Sequence, residues 1–272
     1  MFRKQLIALY LFIRRIFRGK GLSRIRFIRN INFSVEKFLK GGVLTVVIKN
    51  GLTIYLDPRE SLAEKVRSKE PESTALIKKY LLPGDIFVDV GASIGWYTLH
   101  AAKIVGEHGK VYAFEPEPNS FGLLKKNVDA NGFQNAVLRQ AAVCDRHGKV
   151  KLYVPGNAWF WSSLEDPRND YKRNIEANFS DKEDKTVYEY EVESIRLDDV
   201  LPAKVDFMKI DVEADRITNR AFDGTVETIR RNSNLKLLIE HPTEKIIKTL
   251  KSLGYSYLFV DLDGVNGFFI RH

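Results

Sequence analysis

One stretch of the chain joins an apolar run, a loop with two glycines and a helical segment without any linker between them. It reads DIFVDVGASIGWYTLHAAKIVG, from Asp85 to Gly106. The apolar run is typical of a strand that is buried on both faces. Gly91 and Gly95 let the backbone approach a ligand closely and turn at once into a helix. Because the first N–H groups of a helix have no partner within it, we expect them to face a bound ligand.

Strand-like runs and helical segments alternate through most of the chain beyond this loop. Strands are predicted at KVYAFEP, AVLRQAAV, VDFMKIDV and LKLLIEH, and helices at PNSFGLLKKNVDANG and TEKIIKTLKSLG. This alternation predicts an α/β fold with a mostly parallel sheet covered by helices on both faces. The last segment, YSYLFVDLDGVNGFFIRH, has two strand-like runs and no helix between them. It therefore predicts an antiparallel hairpin that closes the sheet.

Two segments stand apart from this alternation. VLTVVIKNGLTIYLD, at residues 43–57, predicts a small N-terminal β-hairpin that turns at Asn-Gly. Residues 155–185 form a polar insertion that is longer than an ordinary connection and holds Trp159 and Trp161 near its start. Such an insertion indicates a binding loop, a lid or a disordered segment. Its tryptophans either cover an acceptor or pack on the rest of the protein.

The first 33 residues form a basic leader. Residues 1–40 hold eleven Lys or Arg against the single acid Glu36. The spacing of apolar and basic residues predicts an amphipathic leader helix, whose apolar run from Leu6 to Ile13 is well short of the roughly 20 residues that span a bilayer. We expect residues 1–33 either to lie on a membrane surface or to pack their apolar face on the protein itself.

The cysteine and histidine counts and the net charge limit the kinds of site that the chain can form. The single cysteine, Cys144, allows neither an internal disulfide nor a four-cysteine metal site, and the five histidines show no HxxxH or HExxH spacing. No metal is therefore predicted. Residues 41–272 carry a net charge of −2, which is the +8 of the chain less the +10 of residues 1–40. Outside the leader, charge alone gives no reason to expect a nucleic-acid partner.

A carboxylate follows the second strand of the alternating series. Glu115 lies at the end of KVYAFEP, about one βα unit after the glycine loop. Ligands of open parallel sheets bind beyond the carboxyl ends of the strands, where a carboxylate can accept hydrogen bonds from both hydroxyls of a ribose. The alternative is a solvated strand end. The loop spacing is DxGxxxG, beginning at Asp89, and not the GxGxxG of dinucleotide sites. Together these features favour an adenosine-containing cofactor.

Several motifs in order resemble the FkbM family of S-adenosylmethionine-dependent methyltransferases. They are PGDIFVDVGASIGWYTLHAAKIVG, GKVYAFEPEPNSFGLLKKNVDANG, QAAVCDRHGKVKL, SIRLDDVL, VDFMKIDVE and LLIEHP, within about residues 65–245. The resemblance implies a class I methyltransferase (Rossmann-like) fold, with a seven-stranded, mostly parallel sheet and an antiparallel C-terminal hairpin, in a domain that we place at residues 34–272. It implies S-adenosyl-L-methionine as cofactor and methyl transfer to oxygen, typically on a sugar, polyketide or other small metabolite.

The residues expected to contact the cofactor surround the glycine loop and the ends of neighbouring strands: Glu70, Asp89, Gly91, Ala92, Gly95, Glu115, Ala142 and Asp211. By the resemblance, the loop would approach the methionine and ribose parts, Glu115 the ribose, and Ala142 the adenine. Asp89 either orients the loop or reaches a cationic group of the ligand.

Three side chains are candidates for catalysis. By the resemblance, Asp211 and Glu213 in KIDVE would face the methyl group and the acceptor. His241 in EHP ends a central strand, and its ordinary pKa near neutrality suits a general base. The alternatives are a structural carboxylate that pairs with Lys209, in the case of Asp211, and a helix cap or a backbone-bonded side chain, in the case of His241.

The sequence departs from the family pattern after KIDVE. The family usually continues with glycine and a second glutamate, whereas here Ala214, Asp215 and Arg216 follow and the next glycine, Gly224, arrives late. Such a departure indicates an altered acceptor or a weakened activity.

The predicted function is an S-adenosylmethionine-dependent O-methyltransferase for a hydroxyl of a sugar, glycan or other small metabolite. It would be cytoplasmic, or held on the inner face of a membrane through residues 1–33. One alternative is a catalytically silent module that binds membrane or a partner. Another is a nucleic-acid methyltransferase that uses the leader as a phosphate-binding arm. Against the last, the chain lacks the [DN]PP[YF] motif that enzymes methylating base amino groups use.

Overall fold

The computed structural model describes residues 44–47, 51–56, 71–155, 162–166, 186–212, 215–262 and 265–271. The leader, most of the insertion with its two tryptophans, and the predicted site residues Glu70 and Glu213 lie outside the described residues. The chain divides into two compact units, Met1–Ser68 and Lys69–His272.

The described strands, in chain order, are β1 (Leu44–Val47), β2 (Thr53–Leu56), β3 (Ile86–Val90), β4 (Lys110–Phe114), β5 (Ala136–Arg139), β6 (Ala142–Val143), β7 (Gly148–Pro155), β8 (Val187–Ile195), β9 (Phe207–Ile210), β10 (Lys236–Glu240), β11 (Tyr255–Leu262) and β12 (Asn266–Arg271). The described helices are α1 (Pro71–Tyr80), α2 (Trp96–Val105), α3 (Pro118–Ala130), α4 (Leu197–Val200), α5 (Asp215–Asp223), α6 (Val226–Arg231) and α7 (Glu244–Ser252).

The first unit contains the predicted hairpin. Strands β1 and β2 pair antiparallel, with Leu44 opposite Leu56 and Val47 opposite Thr53. Gly51 has a φ of 82°, a left-handed conformation that glycine adopts without strain. The Asn-Gly signal therefore identified the hairpin correctly.

Seven strands of the second unit form one sheet in the order β11-β12-β10-β9-β3-β4-β5. The neighbours from β10 to β5 pair in parallel. Strand β12 pairs antiparallel with both β10 and β11. This topology confirms the predicted class I fold, because the sheet is mostly parallel and closes with an antiparallel C-terminal hairpin.

The central strands β3 and β9 are buried on both faces, as their continuous apolar sequences predict. On one face the rings of Phe87 and Phe207 lie 5.5 Å apart, in a cluster that includes residues of α1 and α2. On the other face Val88 and Met208 belong to a cluster that includes residues of α6 and α7. Helices thus cover both faces of these central strands.

One strand prediction was wrong. AVLRQAAV was expected to be a single strand, but it divides into β5, in the main sheet, and β6, in a separate sheet of order β6-β8-β7. The amide of Ala141 bonds the carbonyl of Arg139 and turns the chain out of the main sheet. Ala142 then packs with Leu152 and Val192 in an apolar cluster of its own. A continuous apolar sequence cannot show which of two sheets each half joins.

Within the described residues, no helix has the length and apolar character needed to cross a membrane.

Candidate active site

The pairing register brings the predicted acidic residues to one edge and one face of the main sheet. Asp89 is aligned with Ala113 on β4 and with Lys209 on β9. Aligned residues point to the same face of a sheet, and residues two positions further along a strand do so again. Glu115 and Asp211, each two positions beyond these partners, therefore share a face with Asp89 at the carboxyl ends of the strands.

The glycine loop runs along this edge, and its first glycine is in tight contact with β9. The amides of Gly91 and Ala92 both donate to the carbonyl of Phe114, at 2.9 and 3.0 Å. Gly91 has a φ of 76°, and a Cβ atom there would lie 1.7 Å from the backbone oxygen of Asp211. Glycine is required here both by conformation and by space.

The end of the loop is held by α3. A Cβ atom on Gly95, whose φ is 94°, would lie 2.6 Å from Leu124. The buried side chain of Asn127 donates to the carbonyl of Ile94 at 2.7 Å. Two residues of α3 thus fix where the loop passes into α2.

Glu115 is bound by the loop itself. Its two carboxylate oxygens accept hydrogen bonds from the backbone amides of Ser93 and Glu117, each at 2.8 Å. Ser93 has a φ of 51°, a strained conformation for a residue with a side chain, and strain of this kind is common at functional sites. Glu115 is 5% exposed. Burial raises the pKa of its carboxyl to about 7, although the two amides oppose the rise.

Most of the loop amides are used within the protein. Those of Gly91, Ala92, Ser93 and Gly95 all bond acceptors there, whereas the expectation that the first N–H groups of α2 face a ligand stays a prediction. The tight turn uses these donors to keep its own shape. The carboxylate of Glu115, and not the loop amides, is therefore the polar group that this part of the site can offer.

Asp89 lies beneath the loop and binds the start of α2. Its carboxylate accepts a hydrogen bond from the hydroxyl of Thr98 at 2.6 Å. Asp89 is 1% exposed, and burial raises the pKa of its carboxyl to about 6, while the nearby Lys209 ammonium opposes the rise. Oδ1 of Asp89 has no hydrogen-bond partner among the described residues. These contacts agree with a role in orienting the loop, which was one of the two predicted roles.

Asp211 forms an ion pair with Lys209, as its structural alternative proposed. The side chain of Lys209 is buried, and its ammonium lies 4.5 Å from the ring centre of Tyr97. The side chain of Asp211 nevertheless remains 28% exposed, so it can also reach a ligand. The ion pair does not decide between a structural and a catalytic Asp211.

His241 directly follows β10, at the carboxyl end of that strand. Its side chain is exposed, its φ is 45°, and its amide donates to the carbonyl of Val265 at 2.9 Å. The helix-cap alternative for His241 does not hold, because Thr243 caps α7 by accepting a hydrogen bond from the amide of Ile246. An exposed histidine with a strained backbone at a strand end remains a candidate base.

The structure places Ala142 away from the main sheet, buried in β6. It also explains Gly224, whose lateness marked the departure from the family pattern. A Cβ atom on Gly224 would lie 2.0 Å from the backbone oxygen of Cys144. This glycine serves the packing of the chain at the end of α5 against the chain after β6.

Sequence reasoning did not assign Ser93 and Asn127, which fix the loop, and it named Lys209 only as a structural partner of Asp211. Lys209 carried a usable signal, since a lysine inside the apolar run VDFMKIDV must be buried with a partner. Within the described part of the chain, no group of three or more His, Cys, Asp or Glu could hold a metal ion.

Comparisons with known proteins agree with this architecture. Residues 89–214 match the family model described as Methyltransferase FkbM domain. A probable cobalt-precorrin-6B C(15)-methyltransferase (decarboxylating) of Sulfurisphaera tokodaii is 41% identical over 64 residues, which are 24% of this chain and 33% of that protein. The chain thus matches about a third of the length of the curated relatives.

Two solved structures are also similar. One is the methyltransferase FkbM from Methylobacillus flagellatus, with 13% identity, a TM-score of 0.41, and coverage of 72% of this chain and 50% of that one. The other is Aeropyrum pernix fibrillarin with natively bound S-adenosyl-L-methionine, with 16% identity, a TM-score of 0.43, and coverage of 84% and 94%. The match of residues 89–214 to this family model confirms the resemblance seen in the motifs and agrees with S-adenosylmethionine as the cofactor.

Proposed function

We propose that the protein is an S-adenosylmethionine-dependent O-methyltransferase that acts on a hydroxyl of a sugar, glycan or other small metabolite. One observation carries the proposal. The buried carboxylate of Glu115 lies at the end of β4 and is bonded to the glycine loop at Ser93. A buried carboxylate is costly unless something binds it, and ligand hydroxyls would compensate that cost.

The residues at this edge fit an adenosine. Each oxygen of Glu115 accepts one hydrogen bond from a backbone amide and retains a second lone pair, which a ribose hydroxyl can use. Gly91, Ala92 and Gly95 present little side chain to the ligand. In this proposal Ala142 lies near the adenine, and Glu70 is a further cofactor contact. The negative charge of Glu115 would exclude a ribose phosphorylated at the 2′ position.

Methyl transfer from a sulfonium requires little covalent chemistry from the protein. Bound S-adenosylmethionine supplies a methyl group on a sulfonium, and the protein must align the acceptor oxygen with it and exclude water. We assign to Asp211, Glu213 and His241 the binding and deprotonation of the acceptor hydroxyl. His241 is exposed at the end of β10 and Asp211 is partly exposed at the end of β9, so both can reach an acceptor beyond the sheet.

A carbon acceptor is a second candidate. The curated relatives are named as C(15)-methyltransferases of a precorrin, and their similarity covers about a quarter of this chain. Mass-spectrometric fragmentation of the product distinguishes the two, because a hydroxyl acceptor gives a methyl ether and a carbon acceptor gives a C-methyl group.

For the leader, we propose docking on an anionic membrane surface through residues 1–33. The eleven basic residues among the first 40 and the apolar face predicted from the spacing support electrostatic and hydrophobic attachment together. A nucleic-acid partner is less favoured, since the rest of the chain is slightly acidic. Sedimentation with anionic liposomes and with RNA at two salt concentrations distinguishes these partners.

Calorimetric titration with S-adenosylmethionine tests the proposal. We expect binding by the wild type and a loss of affinity of at least about tenfold in Glu115→Ala, because two ribose hydrogen bonds to a charged group are lost. Glu191→Ala, which removes an exposed glutamate on β8, is the matched control and should bind like the wild type. Equal affinity of Glu115→Ala and wild type would contradict the ribose assignment. Incubation of cell extracts with radiolabelled donor would then find the acceptor.

A further inference from the structure

Lys209 is a fully buried lysine at the carboxyl edge of the main sheet. Its ammonium pairs with Asp211 on its own strand and lies over the ring of Tyr97 on α2. Its partner across the sheet is Asp89 on β3, at an adjacent-strand spacing of about 4.8 Å. The lysine is thus enclosed by an aromatic ring and two carboxylates.

Three carboxylates share the face and the edge where Lys209 lies. We call Asp89, Glu115 and Asp211 the carboxylate cluster. The charge of Asp211 raises the pKa of both Asp89 and Glu115, whereas the ammonium of Lys209 lowers the pKa of Asp89. Lys209 therefore opposes the mutual repulsion within the cluster, and its removal would leave the cluster with up to three negative charges.

The amount of negative charge at this edge matters for a sulfonium donor. Carboxylates attract the sulfonium of bound S-adenosylmethionine, but this positive charge is lost from sulfur as the methyl group leaves. Attraction that is stronger for the bound donor than for the transition state slows transfer. An ammonium within the cluster limits this effect.

We propose that Lys209 is a positioning residue that holds the carboxylate of Asp211 at the strand end and limits the negative charge that the sulfonium of the donor meets. This inference rests on the proposed function, since it requires that the cofactor lie from Glu115 across the glycine loop towards Asp211. The described groups that face Lys209 are Asp89 from β3, Asp211 from β9 and the ring of Tyr97 from α2.

The test compares S-adenosylmethionine with S-adenosylhomocysteine, which has the same adenosine and amino acid but an uncharged sulfur. Dissociation constants of both are measured by calorimetry from pH 5.5 to 8.5 for wild type, Lys209→Met, Lys209→Arg and the surface control Lys149→Met. Titration of the ligands' common groups cancels in the ratio of the two constants. The carboxyl carbon of Asp89 is followed by NMR over the same range without ligand.

In Lys209→Met we expect the Asp89 titration to move upward from about 6 by about 1 to 2 pH units, as for a carboxyl that loses an adjacent cation. The preference for the sulfonium should rise at least threefold at pH 8.5 and should develop at higher pH than in the wild type. Lys209→Arg and Lys149→Met should keep the wild-type midpoints, because both retain a cation at position 209.

If folded Lys209→Met keeps both the wild-type midpoint of the Asp89 titration and the wild-type ratio of the two dissociation constants, this inference is overturned and the proposed function is not affected. Failure of the wild type to bind either ligand would overturn the proposed function and this inference together. If Lys209→Met does not fold, Lys209→Met combined with Asp89→Asn replaces it, because the pair removes one buried charge of each sign. Asp89→Asn alone keeps the ammonium and should lower the preference for the sulfonium at pH 8.5, whereas adding Lys209→Met should return it towards the wild-type ratio. Equal ratios in Asp89→Asn and in the double variant would refute the role of Lys209.

Discussion

Adenosine binding should become tighter as the pH rises through neutrality, because the ribose hydroxyls need an ionised Glu115. Burial raises the pKa of this carboxyl to about 7. A protonated carboxyl loses the charge that makes a hydrogen bond to a hydroxyl strong. The perturbation is therefore only a change of pH, which leaves every contact of the folded site in place.

The magnitude follows from the pKa of Glu115. With a pKa of about 7, the carboxyl is ionised in about one molecule in ten at pH 6 and in about nine molecules in ten at pH 8. If only the ionised form binds, affinity rises about tenfold, which is about 1.4 kcal/mol. Asp89, with a pKa of about 6, adds at most about a factor of two over the same range if its charge is also required.

The assay is calorimetry with 5′-methylthioadenosine, which has the adenosine of the donor but no group that titrates between pH 6 and 8. Glu115→Gln is the control, since it keeps the size of the side chain and cannot ionise. We expect weak, nearly pH-independent binding by this variant. Equal affinity of the wild type at pH 6 and pH 8, or the same pH dependence in Glu115→Gln, would refute the reasoning.

Four further predictions concern catalysis, packing, stability and the leader. Asp211→Asn should bind S-adenosylmethionine within about threefold of wild type and lose at least about 100-fold in turnover, once an acceptor is found; normal turnover would clear Asp211 of catalysis. Gly91→Ala should lower the free energy of unfolding by about 2 kcal/mol or more in chemical denaturation, because its Cβ atom would overlap the Asp211 carbonyl. Gly122→Ala, in open space on α3, should not destabilise, and an equal loss in both variants would discount the contact. The carboxyls of Glu115 and Asp89 have higher pKa values in the folded protein than in the unfolded chain, so their protonation stabilises the folded protein. This stabilisation is complete below the pKa values of the unfolded chain and is lost as the pH rises through about 6 for Asp89 and about 7 for Glu115. The melting temperature of the ligand-free protein should therefore fall less between pH 5 and 8 in Glu115→Gln than in wild type, and parallel curves would contradict this. Deletion of residues 1–33 should release the protein from anionic liposomes, and continued sedimentation with them would remove the membrane role of the leader.

Much of the fold could be predicted because its signals are local. An apolar run such as IFVDV is typical of a strand buried on both faces, and two strand-like runs with no helix between them favour an antiparallel ending. The carboxylate of Glu115 could be placed at the edge for the same reason, since parallel strands end on one side. Glycine at position 91 was also predictable, although its reason, the carbonyl of Asp211, lies 120 residues away.

The parts that sequence could not predict depend on contacts between distant segments. Strands β7 and β8 pair through a register that joins Gly148 to Ser194, and β6 joins them instead of extending β5. Local pattern contains no information about that choice. Likewise the position of Lys209 opposite Asp89 depends on the pairing of β9 with β3, which local sequence does not specify. The use of the loop amides within the turn was missed because hydrogen bonds to Phe114 cannot be read from spacing.

A crystal structure with S-adenosylhomocysteine tests the central claim most directly. We predict that the ribose hydroxyls lie within hydrogen-bond distance of the Glu115 carboxylate and that the backbone from Gly91 to Gly95 contacts the same ligand. A ligand bound elsewhere, or a ribose with no contact to Glu115, would contradict the account.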